Sequence, residues 1–462
     1  MHDVVVIGAG LSGLQAARSC QLAGLSVSVI EARDRVGGKV WSVPLRSGRG
    51  YADLGAAWIN DRLQSRINAY VQQFGLETVR QRLDGKAVMQ KESGDRIVYP
   101  FGITPEFTAE EKKNLEFVRD HIQSATLKTT CPGQDEDSVS LDEYVRKLGA
   151  GPTTVKMVNL WSRVMHGVES KQQSAAWFIE YCRRNHGLLA VRADDESGGN
   201  HMRITTGTQD IANGLANLVG RDNIHLSSPV VSAHDYRSHV TVTTAAGQTF
   251  QAHRCIISLP STMYKSLSIA PPLPESICSI VNCTTLGHYN KAIVCYDKPW
   301  WRDLGFNGFL LSYKGPVVVA RDTSVDSIDY YALTCFVNGD EGTKWQGLSH
   351  NDRRQVVLDQ IAEVYYGDIS EKAASIEHVY QPSDFFIQIW KEEVYSKGAL
   401  APITAIGQRD AYETYCGKPV GNYHFVGTEY ATEWKGYMEG ALCSGEHGAA
   451  EVVQALAIIA KL

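Results

Sequence analysis

The chain has no apolar run long enough to span a membrane, no C-x-x-C pair among its 10 cysteines, and no internal repeat or low-complexity stretch. Each absence removes a class of protein. A membrane-spanning helix needs about 20 consecutive apolar residues, so an integral helical membrane protein is not expected. Scattered, unpaired cysteines are expected to be reduced and mostly buried thiols of an intracellular protein; neither a disulfide framework nor a metal site is anticipated. Charge of one sign is also scarce: 45 basic and 51 acidic residues leave a formal net charge of -6, which gives no basic field for nucleic acid. Nothing resembling a signal peptide precedes the first apolar run, which begins at once with Val4. What remains is a chain of 462 residues, 44% hydrophobic, long enough for two or more domains with ample apolar content to bury their cores.

The most informative stretch is the first. Val4-Val5-Val6-Ile7 leads into Gly8-Ala9-Gly10-Leu11-Ser12-Gly13, a G-x-G-x-x-G turn between a β-forming run and a helix expected over residues 14–23. A second strand, residues 25–30, then delivers Glu31. Such glycines let backbone approach a pyrophosphate, the helix N-terminus supplies oriented N–H groups, and the carboxylate accepts ribose hydroxyls. An acid at this place disfavours a 2′-phosphate. The spacing therefore predicts a dinucleotide-binding unit, without deciding between nicotinamide and flavin.

Beyond it the chain reads as interleaved rather than serial. The N-terminal unit reaches about Thr78. Residues 105–173 read as mostly helical, with capping-box starts at Thr108 and Ser140 and a loop between them over 129–137. A helix over 209–219 leads to alternating strands over 224–233, 239–244 and 255–259. A middle block, 291–394, mixes strands with a helix over 351–366. A strand over 423–426 and a last helix after Gly436 close the chain.

Four stretches carry a family resemblance. After Glu31 come Ala32-Arg33-Asp34-Arg35-Val36-Gly37-Gly38; then follow Asp53-Leu54-Gly55-Ala56-Ala57-Trp58, a Lys291 strand adjoining Pro299-Trp300-Trp301, and Gly427-Thr428-Glu429-Tyr430 running on to Gly440. These resemble the extended nucleotide fingerprint, the D-L-G-G-x-aromatic segment, the lysine strand and the C-terminal signature of the flavin-dependent amine oxidases. The resemblance implies FAD and an α/β fold in which a Rossmann-like FAD-binding domain is interleaved with an α+β substrate-binding domain. The expected division assigns 1–78, 204–288 and 396–462 to the first and 79–203 and 289–395 to the second.

The resemblance also assigns roles. Gly8, Gly10, Ser12, Gly13, Glu31, Ala32, Arg33 and Gly38 would hold the adenosine and pyrophosphate half, with Val230 against the adenine. Gly55, Ala56, Ala57, Trp58, Thr428, Glu429 and Met438 would border the rest of the cofactor. The last helix would aim its N–H groups at the flavin pyrimidine carbonyl, where reduction places negative charge. Lys39 departs from the usual arginine, keeping charge but losing the bidentate fork. Lys291 matches the family lysine near flavin N5, Trp390 the tryptophan packed beside the ring, and Tyr437 one wall of an aromatic cage that orients the amine. The implied reaction passes a hydride from the amine α-carbon to flavin N5, gives an imine that water hydrolyses, and returns the electrons to oxygen as hydrogen peroxide.

Two further departures bear on substrate and cofactor. Tyr395-Ser396-Lys397-Gly398-Ala399-Leu400 places alanine where mammalian relatives carry the cysteine that bonds flavin, so FAD is expected to be noncovalent. Leu400 replaces the second cage aromatic, which widens the site toward a bulky or long-chain amine. Residues 177–202, with Arg183, Arg184, His186 and Arg192 beside Asp194, Asp195 and Glu196, are expected to line the substrate route. Their mixed charge leaves a carboxylate-bearing amine and a polyamine both open; an amino-acid oxidase or a carbon–carbon desaturase on the same scaffold is the second reading, and a noncatalytic flavin-binding interaction protein is the reading outside enzymes. The family suggests a homodimer. Ala460-Lys461-Leu462 resembles the S-K-L address of the peroxisomal import receptor, which suits a peroxide-producing enzyme.

Overall fold

The computed structural model describes residues 1–462 except 106, 129, 368–375 and 460–462, together with the side chains of 458 and 459. The C-terminal Ala460-Lys461-Leu462 thus lies outside the described residues, as does part of the loop expected over 129–137. The strand His2–Ile7 ends in four β-branched residues, Val4 to Ile7, and, like Val27–Ile30, is buried along its apolar length, as a parallel strand covered on both faces must be. It pairs in parallel with Val27–Ile30 on one side and Thr249–Ile257 on the other. Ile224–His225 extends one edge of this eight-stranded sheet. On the other, Thr249–Ile257 divides its second edge: its first half pairs antiparallel with Val240–Thr244 and its last residues pair in parallel with Tyr423–Phe425. Val230–Asp235 and Ser268–Ala270 complete the sheet.

Three helices cover one face. Leu11–Leu22, Gln209–Val219 and Met438–Ile459 enclose a core with Val4, Val6, Leu14, Val29, Leu215 and Leu442. Glu439, buried in the first turn of the last helix, accepts the backbone N–H of Arg66 at 3.1 Å and of Ile67 at 2.8 Å. It satisfies otherwise unpaired donors at the start of Ser65–Gln73 and fixes that helix against the C-terminal one.

A seven-stranded sheet forms the second layer, in the order Asp384–Ile389, Tyr289–Tyr296, Tyr331–Asn338, Val319–Asp322, Phe306–Ser312, Lys86–Gln90, Arg96–Pro100. Helices Ala109–Thr126, Pro152–His166 and Ala175–Arg184 pack beside it. Both expected capping boxes are present: Thr108 caps Ala109–Thr126 and Ser140 caps Leu141–Lys147. The expected strand over 224–233 is instead two strands, because the segment leaves the sheet edge after His225 and rejoins it at Val230. Trp58–Ile59, Thr78–Arg80 and Met202–Ile204 form a small sheet, and the expected boundaries at 78/79 and 203/204 both cut through it. The chain passes from one layer to the other within these shared strands.

Candidate active site

A single continuous cavity runs from the carboxyl ends of the first two strands to the face of the seven-stranded sheet. At its nucleotide end, the strand register brings Glu31 beside the Gly8–Gly10 turn. The buried Glu31 carboxylate accepts the Ala9 N–H at 2.7 Å and the Arg33 N–H at 2.9 Å, which holds the acid in place with lone pairs left for a ligand. A side chain at Gly10 would meet nothing within 4 Å, so this glycine keeps the mouth of the helix open. Gly13 differs: a Cβ there would lie 2.0 Å from the Gly8 carbonyl oxygen. It allows helix Leu11–Leu22 to lie on its strand and, unlike Gly8 and Gly10, is not among the residues that line the cavity. Gly8, Gly10, Ser12, Ala32, Arg33, Gly38, Lys39, Val230, Thr428, Glu429 and Met438 do border it. Ser12 shares a hydroxyl contact with Ser258 at 2.8 Å, and Arg33 is ion-paired with Glu393. The Glu429 carboxylate is held by the Ser261 N–H at 2.8 Å and by the Ser261 and Tyr412 hydroxyls.

Lys291 lies in the middle of Tyr289–Tyr296, flanked by strands on both sides, and is 3% exposed, so it is no surface lysine. Its ammonium donates to the Asp53 carbonyl at 2.9 Å and to the Gly55 carbonyl, and faces the rings of Trp58 and Phe336 at 5.5 and 5.4 Å. Burial pushes its pKa down to about 8, against a smaller opposing pull from Asp53. Trp390 donates its indole N–H to the Leu54 carbonyl at 3.1 Å, so lysine and tryptophan grip the same turn, with Gly55, Ala56 and Ala57 on its cavity side. Lys39, a half-buried lysine of the cleft, donates to the Leu400 carbonyl at 2.5 Å, and desolvation lowers it too to about 8.

The far half of the cavity is an apolar chamber walled by Trp58, Leu160, Trp161, Tyr181, Tyr289, Phe309, Phe336, Leu400 and Tyr437. Tyr437 stands immediately before the final helix, whose N-terminus therefore points at the cavity, and the Thr428 hydroxyl donates to its carbonyl at 2.8 Å. Ala399 and Leu400 open the strand Ala399–Ile403 at the chamber edge. Behind the wall, the His166 ring packs 4.4 Å from that of Tyr181 and burial drops its pKa to about 3, keeping it neutral.

The segment expected to line the substrate route does so only in part. Arg183 and Arg184 both pair with Glu180, Arg184 also with Glu413, and Glu196 with Arg62. Arg192 alone of those charged residues borders the chamber. Sequence reading did not find Arg321, which reaches the chamber from Val319–Asp322 and is clamped by Asp194 through three contacts of 3.1 Å. It also missed Tyr181, Tyr289 and Phe336, since an aromatic residue on a core strand carries no sign of which cavity it faces.

A glycine turn between parallel strand and helix, a buried acid ending the next strand, and a second helix N-terminus facing an apolar chamber fit the two halves of FAD; together they define a flavin-dependent oxidoreductase. The chain belongs to the flavin containing amine oxidoreductases, whose family pattern matches residues 11–453. It is 29% identical to the probable flavin-containing monoamine oxidase A of Dictyostelium discoideum over 96% of each chain. It is 28% identical to flavin-containing amine oxidase B of Homo sapiens over 98% of this chain and 86% of the relative. Among solved structures, putrescine oxidase bound to putrescine superposes with a TM-score of 0.89 at 25% identity, covering 98% of this chain and 99% of that one. Cyclohexylamine oxidase from Brevibacterium oxydans shares the fold with a TM-score of 0.86 at 22% identity over 98% and 99% of the two chains. The protein is thus an FAD-dependent amine oxidase.

Proposed function

We propose that the protein deaminates a bulky or long-chain primary amine to the aldehyde or ketone, with release of ammonia and hydrogen peroxide. The observation that carries this reading is the continuity of the nucleotide cleft with an apolar chamber whose junction holds the buried Lys291 ammonium. The FAD that Glu31, the Gly8–Gly10 turn and the last helix N-terminus would hold would supply the two-electron acceptor for the amine α-carbon hydride and the route of those electrons to oxygen. The residues supply position and charge. Trp390 and Lys291 fix the 54–55 turn under the reaction site, and the cation stabilises negative charge that develops as oxygen is reduced. Tyr437 orients the amine, while Leu400 in the chamber wall leaves room for a substituent broader than a flat ring.

Burial excludes water from the chamber and favours the neutral, reactive form of the amine. Among the described residues no acidic side chain borders the chamber, since Glu31 and Glu429 lie at the nucleotide end; a diamine such as the putrescine of the solved relative would find no carboxylate for its second ammonium. Ala399 has no nucleophile to bond flavin, so the cofactor is held without a covalent link. Peroxide production suits the Ala460-Lys461-Leu462 address, and loss of peroxisomal targeting on deleting it would test that compartment. A peroxide assay of the purified yellow protein across long-chain, arylalkyl and diamine substrates tests the activity, with turnover expected for the first two. Acid precipitation should leave all the yellow colour in the supernatant; flavin retained on the pellet would refute the noncovalent assignment.

A further inference from the structure

The chamber carries a charge that amine oxidation does not use. Two guanidinium cations border it, and only one is neutralised: Asp194 is taken by the Arg321 clamp. Arg192 ends the helix Leu188–Arg192, and its guanidinium makes no hydrogen bond or ion pair among the described residues. Its one contact of note is with the face of Trp161, 4.5 Å away, which orients the planar group without satisfying any of its donors. The charged groups around it are spoken for. Arg119 repels it and is itself paired with Asp120 at 2.7 Å, and Asp194, which attracts it, is hydrogen-bonded to Arg321. Desolvation lowers Arg192 to about 10, which still leaves it charged at neutral pH. A partly desolvated guanidinium with free donors, set in an apolar wall that offers no acid, lacks its partner.

We propose that the partner is on the substrate: the amine carries a carboxylate remote from its reacting nitrogen, and Arg192 binds it. The inference rests on the amine-oxidase reading and adds the substrate class. The guanidinium fork matches a carboxylate through two parallel hydrogen bonds, and the Trp161 ring packs against its face. Arg192 is therefore a specificity residue. The Arg321–Asp194 ion pair at the same chamber adds no net charge and leaves the added positive charge at one.

The test compares n-alkylamines, ω-amino carboxylates and α,ω-diamines in matched lengths, using the FAD-loaded protein. A charge-assisted contact of about 1.5–3 kcal/mol corresponds to about tenfold to a hundredfold in kcat/KM. At the best length the ω-amino carboxylate should exceed the alkylamine by that factor and the diamine by more. Arg192→Leu should lower the ratio of carboxylate to alkylamine at least about tenfold, and Arg192→Lys should restore part of it. A wild-type preference for the alkylamine at every length, or an unchanged ratio in Arg192→Leu, overturns the proposal. Calorimetric titration of the wild-type holoprotein with n-alkanoates keeps the question open to measurement should Arg192→Leu not fold. Binding that Arg192→Lys weakens upholds the assignment, and no binding at any length overturns it. If no amine is oxidised but alkanoates bind in this way, the activity reading fails and the anion site stands.

Discussion

At the nucleotide end, most of the groups that face the cleft are main chain or short side chains from one stretch, residues 8–38, delivered by two adjacent parallel strands. At the chamber, the walls are large side chains from places as distant as Trp58, Trp161, Tyr289, Phe336, Leu400 and Tyr437. The first kind of site is written in spacing, because backbone donors need only a turn of the right shape. The second is written in packing, and its members can each change with little effect on the chain's course. One protein thus combines a rigid and a replaceable half, joined by Lys291 and the turn it grips.

The largest break in that comparison is expected at the junction. Lys291→Met should slow reoxidation by oxygen about a hundredfold or more, as for loss of one charge-stabilising donor, while anaerobic reduction by the amine changes far less. Stopped-flow rates of the two half-reactions measure this, and equal oxidative rates in mutant and wild type would sink the role. The charge also has a pH signature. With its pKa pushed down to about 8, Lys291 is charged below that value and loses its proton above it, so wild-type reoxidation should fall as pH rises through about 8. Over the same range the reductive half-reaction should speed up as the amine becomes neutral. The pH dependence of reoxidation should vanish in Lys291→Met.

The next effect separates two glycines within the rigid half. Gly13→Ala presses a methyl group against the Gly8 carbonyl and should cost about 1–3 kcal/mol of stability even in the apoprotein. Gly10→Ala meets open space, so apoprotein stability should stay within about 0.5 kcal/mol while FAD affinity drops. Thermal melts with and without added FAD distinguish them; equal apoprotein melting for both would contradict the packing role of Gly13. The smallest effect belongs to the replaceable half. Leu400→Tyr restores an aromatic wall worth about 0.5–1.5 kcal/mol, which should shift kcat/KM about two- to tenfold toward arylalkylamines over long-chain amines.

The same contrast explains which features are legible in the sequence and which are not. The cradle, both capping boxes and the helix Gln209–Val219 follow from local spacing and periodicity, whereas Lys291 is singled out by the family resemblance. The packing of Gly13 against the Gly8 carbonyl is not legible there, because a motif states where a glycine is required without stating which neighbour requires it. The Arg321–Asp194 clamp is invisible at that level, since its members lie 127 positions apart and each looks like an ordinary charged residue. Without that clamp the charges of residues 177–202 read as a balanced loop. With it, Arg192 is left without a hydrogen-bond or ion-pair partner among the described residues.

The bond from Lys39 to the Leu400 carbonyl has a consequence for how such a protein changes over generations. The lysine reaches from the cofactor fingerprint to the chamber edge and holds main chain, which every residue type supplies. The side chain at position 400 can therefore be exchanged without loosening the strand it belongs to. Substrate range can drift at that position under selection while the cofactor hold is inherited intact.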